Sequence, residues 1–404
     1  MNWKVSLVGA FDRFNYGDVL FARISEHLLR QALPKADIDF YALRRADLRA
    51  EGGVVCKPLS ELYSQRLSAD TRHLVVLTGG ELLAPSWGQM VEHLVSPKIS
   101  KHIMTLHHKT RYAFWTPIWR RVFGCQNQQP WTLDPRDLPS GSEPAQVVYN
   151  AVGGVSTGRL GARVIAWQTA ALKRASWLTV RDTPTAQAVA GRGLPMPDVV
   201  PDSAVTMSDL ISKDTRLHER AAILKAAGLD DAPYLCVQLA ERWSRDCDDV
   251  VAEQLREVHR RTGLQVLSFA IGRASAHDDQ ITSLRLQARL GNTPWFGVAP
   301  ETLTVDQIMA LIAGSQAYVG TSLHGYITAF VFKRARVGLE PSVRKVAGFR
   351  DAWDTAKMPA GRRVGAIADS LDQALVAAPK VTPNSTIETY RNSFATMLAR
   401  VGAV

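Results

Sequence analysis

Val319-Gly320-Thr321-Ser322-Leu323-His324-Gly325-Tyr326-Ile327-Thr328-Ala329-Phe330 is the run from which the fold is read. Ala317 to Val319 has the character of a short buried strand, and Gly320 breaks it. Thr321 or Ser322 then caps a helix whose apolar spacing is Tyr326, Ile327, Phe330 and Val331. A histidine thereby stands in a helix's first turn. Free backbone N–H groups and the positive end of a helix dipole attract anions there, and an imidazole beside them holds or moves a proton. A phosphorylated or carboxylated ligand suits such a place. Taken alone, Leu-His-Gly reads more plainly as a capping histidine packed against its neighbours.

Outward from this run, the second half of the chain alternates. Strand Tyr234 to Leu239 precedes helix Val250 to Arg261. After Gly263 come strand Leu264 to Ala270, helix Asp278 to Leu290 and a short strand near Trp295 to Val298. Thr304 and Gln307 form a capping box for the helix carrying Ile308, Leu311 and Ile312, and Ala335 to Leu339 is a further strand. Repeated βα units predict a parallel sheet with helices on both faces, a Rossmann-like domain. Ligands of such sheets sit beyond the strands' carboxyl ends. That edge receives Arg242 after one strand, Arg273 and His277 after the next, and Thr321, Ser322 and His324 after a third. Arginines, histidines and hydroxyls gathered beside a helix N-terminus would bind a phosphate and a carboxylate together.

The first half opens with strand Trp3 to Gly9, a loop to Asp18, and a helix spaced by Leu20, Ile24, Leu28 and Leu29. It lacks Gly-x-Gly-x-x-Gly, so a dinucleotide is not indicated. Asp18 suits the helix N-cap; Asn15 and Asp18 otherwise serve as sugar or proton contacts. Strands Ile38 to Leu43 and His73 to Thr78 follow, the second ending in Gly79-Gly80, where backbone can approach a ligand or simply turn tightly. Gln146 to Gly154 repeats the pattern. Trp177 to Val180 ends at Arg181-Asp182, with Thr183 as cap and Pro184 at the first helical position. Arg181 reaches the ligand edge or closes an internal salt bridge. Ser385 and Glu388 form another capping box before a final helix, Ile387 to Leu398.

Composition bounds the partners. The chain has 404 residues, 46% of them hydrophobic and 21% charged, and a net charge of +10, which admits phosphorylated metabolites, nucleic acid or an anionic membrane face. The basic residues are dispersed and no recognised motif accompanies them, so nucleic acid is not expected. Four scattered cysteines fit neither a disulfide scaffold nor a metal site and suit the cytoplasm. No signal peptide is read before the first strand, and no apolar run approaches the ~18 residues of a membrane span. Residues 93 to 133 contain no Asp or Glu but carry Lys and Arg interleaved with Trp115 and Trp119. That composition fits an interfacial segment on anionic lipid, a basic wall of an acceptor cleft, or a core helix with a solvated basic face; Pro117 is expected to interrupt a long helix. Residues 134 to 146 read as loop.

Asn15-x-Gly17-Asp18, Gly79-Gly80, Arg181-Asp182, Pro201-Asp202-x-Ala204 and Thr321-Ser322-Leu323-His324-Gly325, in this order, resemble the polysaccharide pyruvyltransferase family. The resemblance implies an α/β protein with two Rossmann-like domains facing a cleft, GT-B-like. The expected division is an acceptor domain over 1–200 with a basic aromatic insertion over about 93–145, a donor domain over 201–375, and a helix over 376–404 crossing back. It also implies phosphoenolpyruvate as donor, no cofactor or metal, and transfer of pyruvate as a ketal onto a sugar of a bacterial surface polysaccharide or its lipid-linked precursor. The expected place is the cytoplasm or the inner face of its membrane. In that scheme His324 binds the donor or acts as acid, Arg242 and Arg273 take the phosphate, and Asp18 contacts the acceptor, with Asp182 or Asp202 as other bases. Many members have Arg where this chain has Ser322; if that arginine binds donor, Arg242, Arg273 or Lys345 takes its place. A nucleotide-sugar glycosyltransferase and a non-catalytic saccharide-binding subunit are the alternatives.

Overall fold

The computed structural model describes residues 2–95, 99, 102–103, 105, 112–155, 160–273, 279–339, 344–354, 358–359, 364–380 and 382–403, with backbone alone at 112–114, 242 and 344. The chain forms two compact units, Met1–Ser203 with Glu388–Val404, and Ala204–Ile387.

The first unit is built on β1 (Asn2–Val8), β2 (Asp37–Ala42), β3 (Ala46–Asp47), β4 (Val55–Pro58), β5 (Thr71–Thr78), β6 (Gln146–Val152), β7 (Trp177–Val180) and β8 (Asp198–Val199). They lie in the order β3-β4-β2-β1-β5-β6-β7-β8, parallel throughout except for β3 against β4. Parallel neighbours need crossovers, which helices such as Tyr16–Ala32, Trp87–Leu94 and Ala162–Lys173 supply. From β1 the chain works outward through β2, then returns to β5 on the other side of β1. Strand order therefore reverses between β1 and β5, and this opens a crevice beyond their carboxyl ends.

Helix Tyr112–Val122 runs straight through Pro117, contrary to the expected interruption. A proline ring removes one i→i−4 bond, and tertiary packing makes up for it. Trp119 and Phe123 pack on the core, Phe123 stacks on the buried Trp87 ring at 5.6 Å, and Ile118, Arg121 and Val122 face outward. That is the arrangement of a core helix with a solvated face. No helix among the described residues is long and apolar enough to cross a membrane. The last helix starts at Asn384, so Ser385 and Glu388 lie inside it instead of capping it. Its Tyr390 hydroxyl accepts from Asn150 Nδ2 at 2.7 Å within the first unit.

The second unit has a wholly parallel sheet, β9 (Tyr234–Gln238), β10 (Gln265–Ser268), β11 (Phe296–Val298), β12 (Ala317–Gly320) and β13 (Ala335–Gly338), ordered β11-β10-β9-β12-β13. The chain enters at the centre, runs to one edge, and crosses back, so order reverses between β9 and β12. Thr304 and Gln307 make the expected capping box, and Gly263 ends helix Asp248–Thr262 at φ 68, a left-handed conformation that glycine adopts at little cost. Helix Leu323–Val331 covers a pair the sequence did not suggest. Arg336 and Asp354 are fully buried and joined at 2.8 Å and 2.5 Å, and Asp354 also accepts from the Tyr326 hydroxyl.

Candidate functional site

A residue without prominence in the sequence reading organises the crevice of the second unit. Gln238 ends β9 and is buried. Its Oε1 accepts from the Ser322 backbone N–H at 2.9 Å and the Tyr318 hydroxyl at 3.1 Å, while its Nε2 donates to Asp279 at 2.8 Å. One neutral side chain thus ties the loop after β12 to the start of helix Gln280–Leu290, across the reversal point. Polar side chains at strand ends bond to several loops at once when each of their donors and acceptors finds a partner.

Ser322 is the N-cap of helix Leu323–Val331, its hydroxyl accepting from the Gly325 N–H, and the Thr321 hydroxyl accepts from the Ala240 N–H at 2.9 Å. Both hydroxyls assigned to substrate therefore hold the turn itself. His324 follows in the first helical turn and is half-buried. The motif glycine has a mechanical reason. The Tyr318 ring lies under the turn, and a Cβ on Gly325 or on Gly320 would come within 2.3 Å of its hydroxyl oxygen. The backbone must pass close over a phenol for His324 to sit at the crevice.

The other basic candidates join the same edge. Arg273 is half-buried in the loop after β10, Arg242 belongs to helix Glu241–Ser244 directly after β9, and Lys345 is exposed near the start of helix Arg344–Trp353 after β13. Since β10, β9, β12 and β13 are consecutive in the sheet, these positions share its carboxyl edge. The side chain of Arg242 and all of His277 lie outside the described residues.

In the first unit, Asn15–Asp18 follows β1 and Gly79-Gly80 follows β5, so both lie past the carboxyl ends of adjacent strands at the reversal. Asn15, not Asp18, is the residue preceding helix Tyr16–Ala32. Asp18 stands in the first turn, where its carboxylate accepts from Asn15 Nδ2 at 3.1 Å and complements the helix dipole. Gly17 is buried in the same turn. Two charged residues of this loop were missed: Asp12 and Arg13, both buried and paired at 3.3 Å.

Arg181 settles on its structural alternative. Its side chain is 5% exposed and joins Asp202 at 2.9 Å and Glu81 at 3.3 Å, with Asp182 at 4.0 Å. Burial pulls its pKa down, but the charges of Asp202, Glu81 and Asp182 outweigh it and hold the guanidinium above its ordinary value. The glycines here are spent on that group. A Cβ on Gly153 would lie 2.8 Å from Arg181 Nε, and one on Gly80 would lie 3.4 Å from Nη1. Asp202, 1% exposed and ion-paired, is badly placed to take a proton from substrate. Asp182 rather than Thr183 caps helix Thr183–Ala190, accepting from the Thr185 N–H at 2.8 Å.

A cavity of about 760 Å³ lies elsewhere in this unit, over the amino half of β1 and β2, beside Lys4, Asp39 and Tyr41. It holds none of the candidates. Among the described residues, no group of three or more His, Cys, Asp or Glu side chains is placed to hold a metal ion.

Residues 169–342 match the polysaccharide pyruvyl transferase family model. The match takes in Arg181-Asp182, Pro201-Asp202-x-Ala204 and the whole Thr321–Gly325 turn, and it leaves out the Asn15–Asp18 and Gly79-Gly80 motifs. Compared with curated proteins, the chain matches none. Among solved structures it is similar to a putative UDP-N-acetylglucosamine 2-epimerase from Listeria monocytogenes, at 10% identity and TM-score 0.60 over 99% of this chain and 97% of that one. It is also similar to UDP-GlcNAc 2-epimerase from Neisseria meningitidis bound to UDP-GlcNAc, at 9% identity and TM-score 0.56 over 99% and 100%. The enzyme of that name from Methanocaldococcus jannaschii gives 11% identity and TM-score 0.54 over the same shares. At such identities these neighbours speak to fold alone, two parallel-sheet α/β domains of GT-B type.

Proposed function

We propose that the protein is a pyruvyltransferase that moves pyruvate from phosphoenolpyruvate to a sugar hydroxyl pair, forming a ketal on a polysaccharide or its lipid-linked precursor. The observation that carries this is the family match, because it includes the turn that sets His324 at the strand-order reversal of the second unit. In the reaction a proton is added to the methylene carbon of the enol phosphate, and positive charge develops at the adjacent carbon. One sugar hydroxyl adds there and gives up its proton, phosphate departs with its electron pair, and the second hydroxyl adds to the carbon so exposed and gives up its proton in turn. We assign the proton delivery to His324, and the donor's phosphate and carboxylate to Arg273, Arg242, Lys345 and the helix N-terminus that Ser322 caps. Asp18 is kept for the acceptor: it is half-buried, whereas Asp202 is buried and ion-paired. Contact with a lipid-linked acceptor at the cytoplasmic membrane face is assigned to the outward side of helix Tyr112–Val122, where Ile118, Arg121 and Val122 are exposed.

A nucleotide-sugar reaction is the second reading, favoured by a fold neighbour whose structure holds UDP-GlcNAc. Calorimetric titration with phosphoenolpyruvate and, separately, with UDP-GlcNAc distinguishes them. Saturable binding of phosphoenolpyruvate that weakens at least tenfold in Arg273→Gln is the expected result. Binding of UDP-GlcNAc alone would overturn the assignment.

A further inference from the structure

At the opposite edge of the second unit's sheet, three arginines gather around the amino ends of β9, β12 and β13. The backbone row there is continuous: Ala335 N–H donates to Gln316 O at 3.3 Å, and Gln316 N–H to Tyr234 O at 2.9 Å. Arg216 and Arg220 stand one turn apart on helix Lys213–Ala226 and so share a face. Arg220 lies over the Tyr234 ring at 5.4 Å, its stem crossing Gly314 where a Cβ would come within 2.3 Å. Arg216 lies over Phe332 at 4.7 Å, and Arg334 follows two residues later at the entry to β13. The three charges sense one another: burial, and then the neighbouring Arg216 and Arg220, depress the Arg334 pKa, while Tyr234 acts against them.

Compensation is incomplete. Asp231, 70% exposed, pairs with Arg220 at 2.5 Å. Among the described residues neither Arg216 nor Arg334 has a carboxylate partner, and the Nε of all three arginines is buried without a hydrogen-bond acceptor. Lys333, which precedes Arg334 in the chain, is held at φ 58 in a helix-ending position where glycine is less strained. A half-buried group of like charges whose donors lack acceptors is unfavourable unless an anion completes it, and guanidinium forks match the spacing of phosphate oxygens.

We propose that Arg216, Arg220 and Arg334 form a second anion site that takes a phosphate or phosphate-monoester group, apart from the His324 crevice and independent of the reaction assigned to it. The test uses the full-length protein in chloride buffer with inorganic phosphate as probe, ionic strength held constant. Calorimetry is expected to show a phosphate site that Arg334→Gln and Arg216→Gln each weaken at least tenfold, and that Arg273→Gln leaves in place. Without phosphate, both arginine variants should melt at a higher temperature than the parent, because removing one like charge relieves the others. The proposal is overturned if either variant binds phosphate as the parent does. It is equally overturned if both melt lower, or fail to fold, in phosphate-free buffer, since the arginines would then be structural props and not a charged site awaiting its ligand.

Discussion

The two strand-order reversals use different chemistry to shape the same kind of crevice. Around β1 and β5, charge is packed inward: Asp12 with Arg13, and Arg181 among Asp202, Glu81 and Asp182. Around β9 and β12, the amide of Gln238 does the fixing, bonded to the Ser322 N–H, the Tyr318 hydroxyl and the buried Asp279, and the turn itself carries a half-buried histidine. Buried ions are costly to desolvate and cost more when one partner is lost, so they make rigid struts. The turn that carries His324 is instead held by neutral partners, the Gln238 amide and the Thr321 and Ser322 hydroxyls, with the one carboxylate of the network, Asp279, bonded to the other end of that amide. The difference teaches that a charged residue at a ligand edge means little until its partners are known.

The sharpest way to break this contrast is Arg181→Met. It strands Asp202 and Glu81 in a buried setting and should cost ~3–5 kcal/mol of stability in urea denaturation. A loss below ~1 kcal/mol, with donor binding abolished, would make Arg181 a ligand group and erase the distinction between the crevices. His324→Ala is its counterpart. Stability should change by less than ~1 kcal/mol while pyruvyl transfer falls ~100-fold or more, the range for losing a general acid. Undiminished transfer by a folded variant would remove His324 from the chemistry.

Smaller in effect, Gly325→Ala separates motif from mechanics. Glycine to alanine within a helix ordinarily gains up to ~1 kcal/mol, and Gly348→Ala in helix Arg344–Trp353, with open space around it, should show that gain. At Gly325 the new methyl meets the Tyr318 ring, so a loss of ~1–3 kcal/mol is expected from overpacking. Tyr318→Leu should reduce that loss in the double variant. If Gly325→Ala were neutral while transfer collapsed, glycine would be present for substrate and not for the phenol.

These contacts also mark what the sequence could and could not convey. Strand and helix succession was legible because buried parallel strands and amphipathic helices leave different periodicities. The carboxyl ends of the strands followed from that succession, and with them the positions of Asn15, Gly79, Arg242 and His324, whereas the order of the strands, and so the reversal points, came only with the structure. Side-chain commitments were not legible. Nothing local in Arg181-Asp182 reveals that Asp202, 21 residues on, and Glu81, 100 residues back, close on the arginine. Gln238 is one amide at the end of an apolar strand, and Arg336 sits in a four-residue strand whose partner Asp354 lies beyond a helix. Such pairs are set by tertiary packing. A polar residue inside an otherwise apolar strand was the available signal, and it indicates a network without naming its members.

The finest test compares the two helix caps. Asp182 accepts from the Thr185 N–H at 2.8 Å and Ser322 from the Gly325 N–H at 3.3 Å, so either alanine substitution removes a cap worth ~1 kcal/mol. Their salt dependence should differ. Asp182 carries a negative charge at the positive end of a helix dipole and lies 4.0 Å from Arg181, and both interactions weaken as ions screen them. Ser322 contributes a neutral bond that salt leaves unchanged. The Asp182→Ala deficit in melting temperature should therefore shrink between low and high salt, and Asp182→Asn, which keeps the bond and drops the charge, should show a smaller deficit with little salt dependence. The Ser322→Ala deficit should stay constant. Equal salt slopes for Asp182→Ala and Ser322→Ala would mean that charge does not distinguish these turns, and the contrast between a turn held by ions and one held by neutral groups would fail at its most local point.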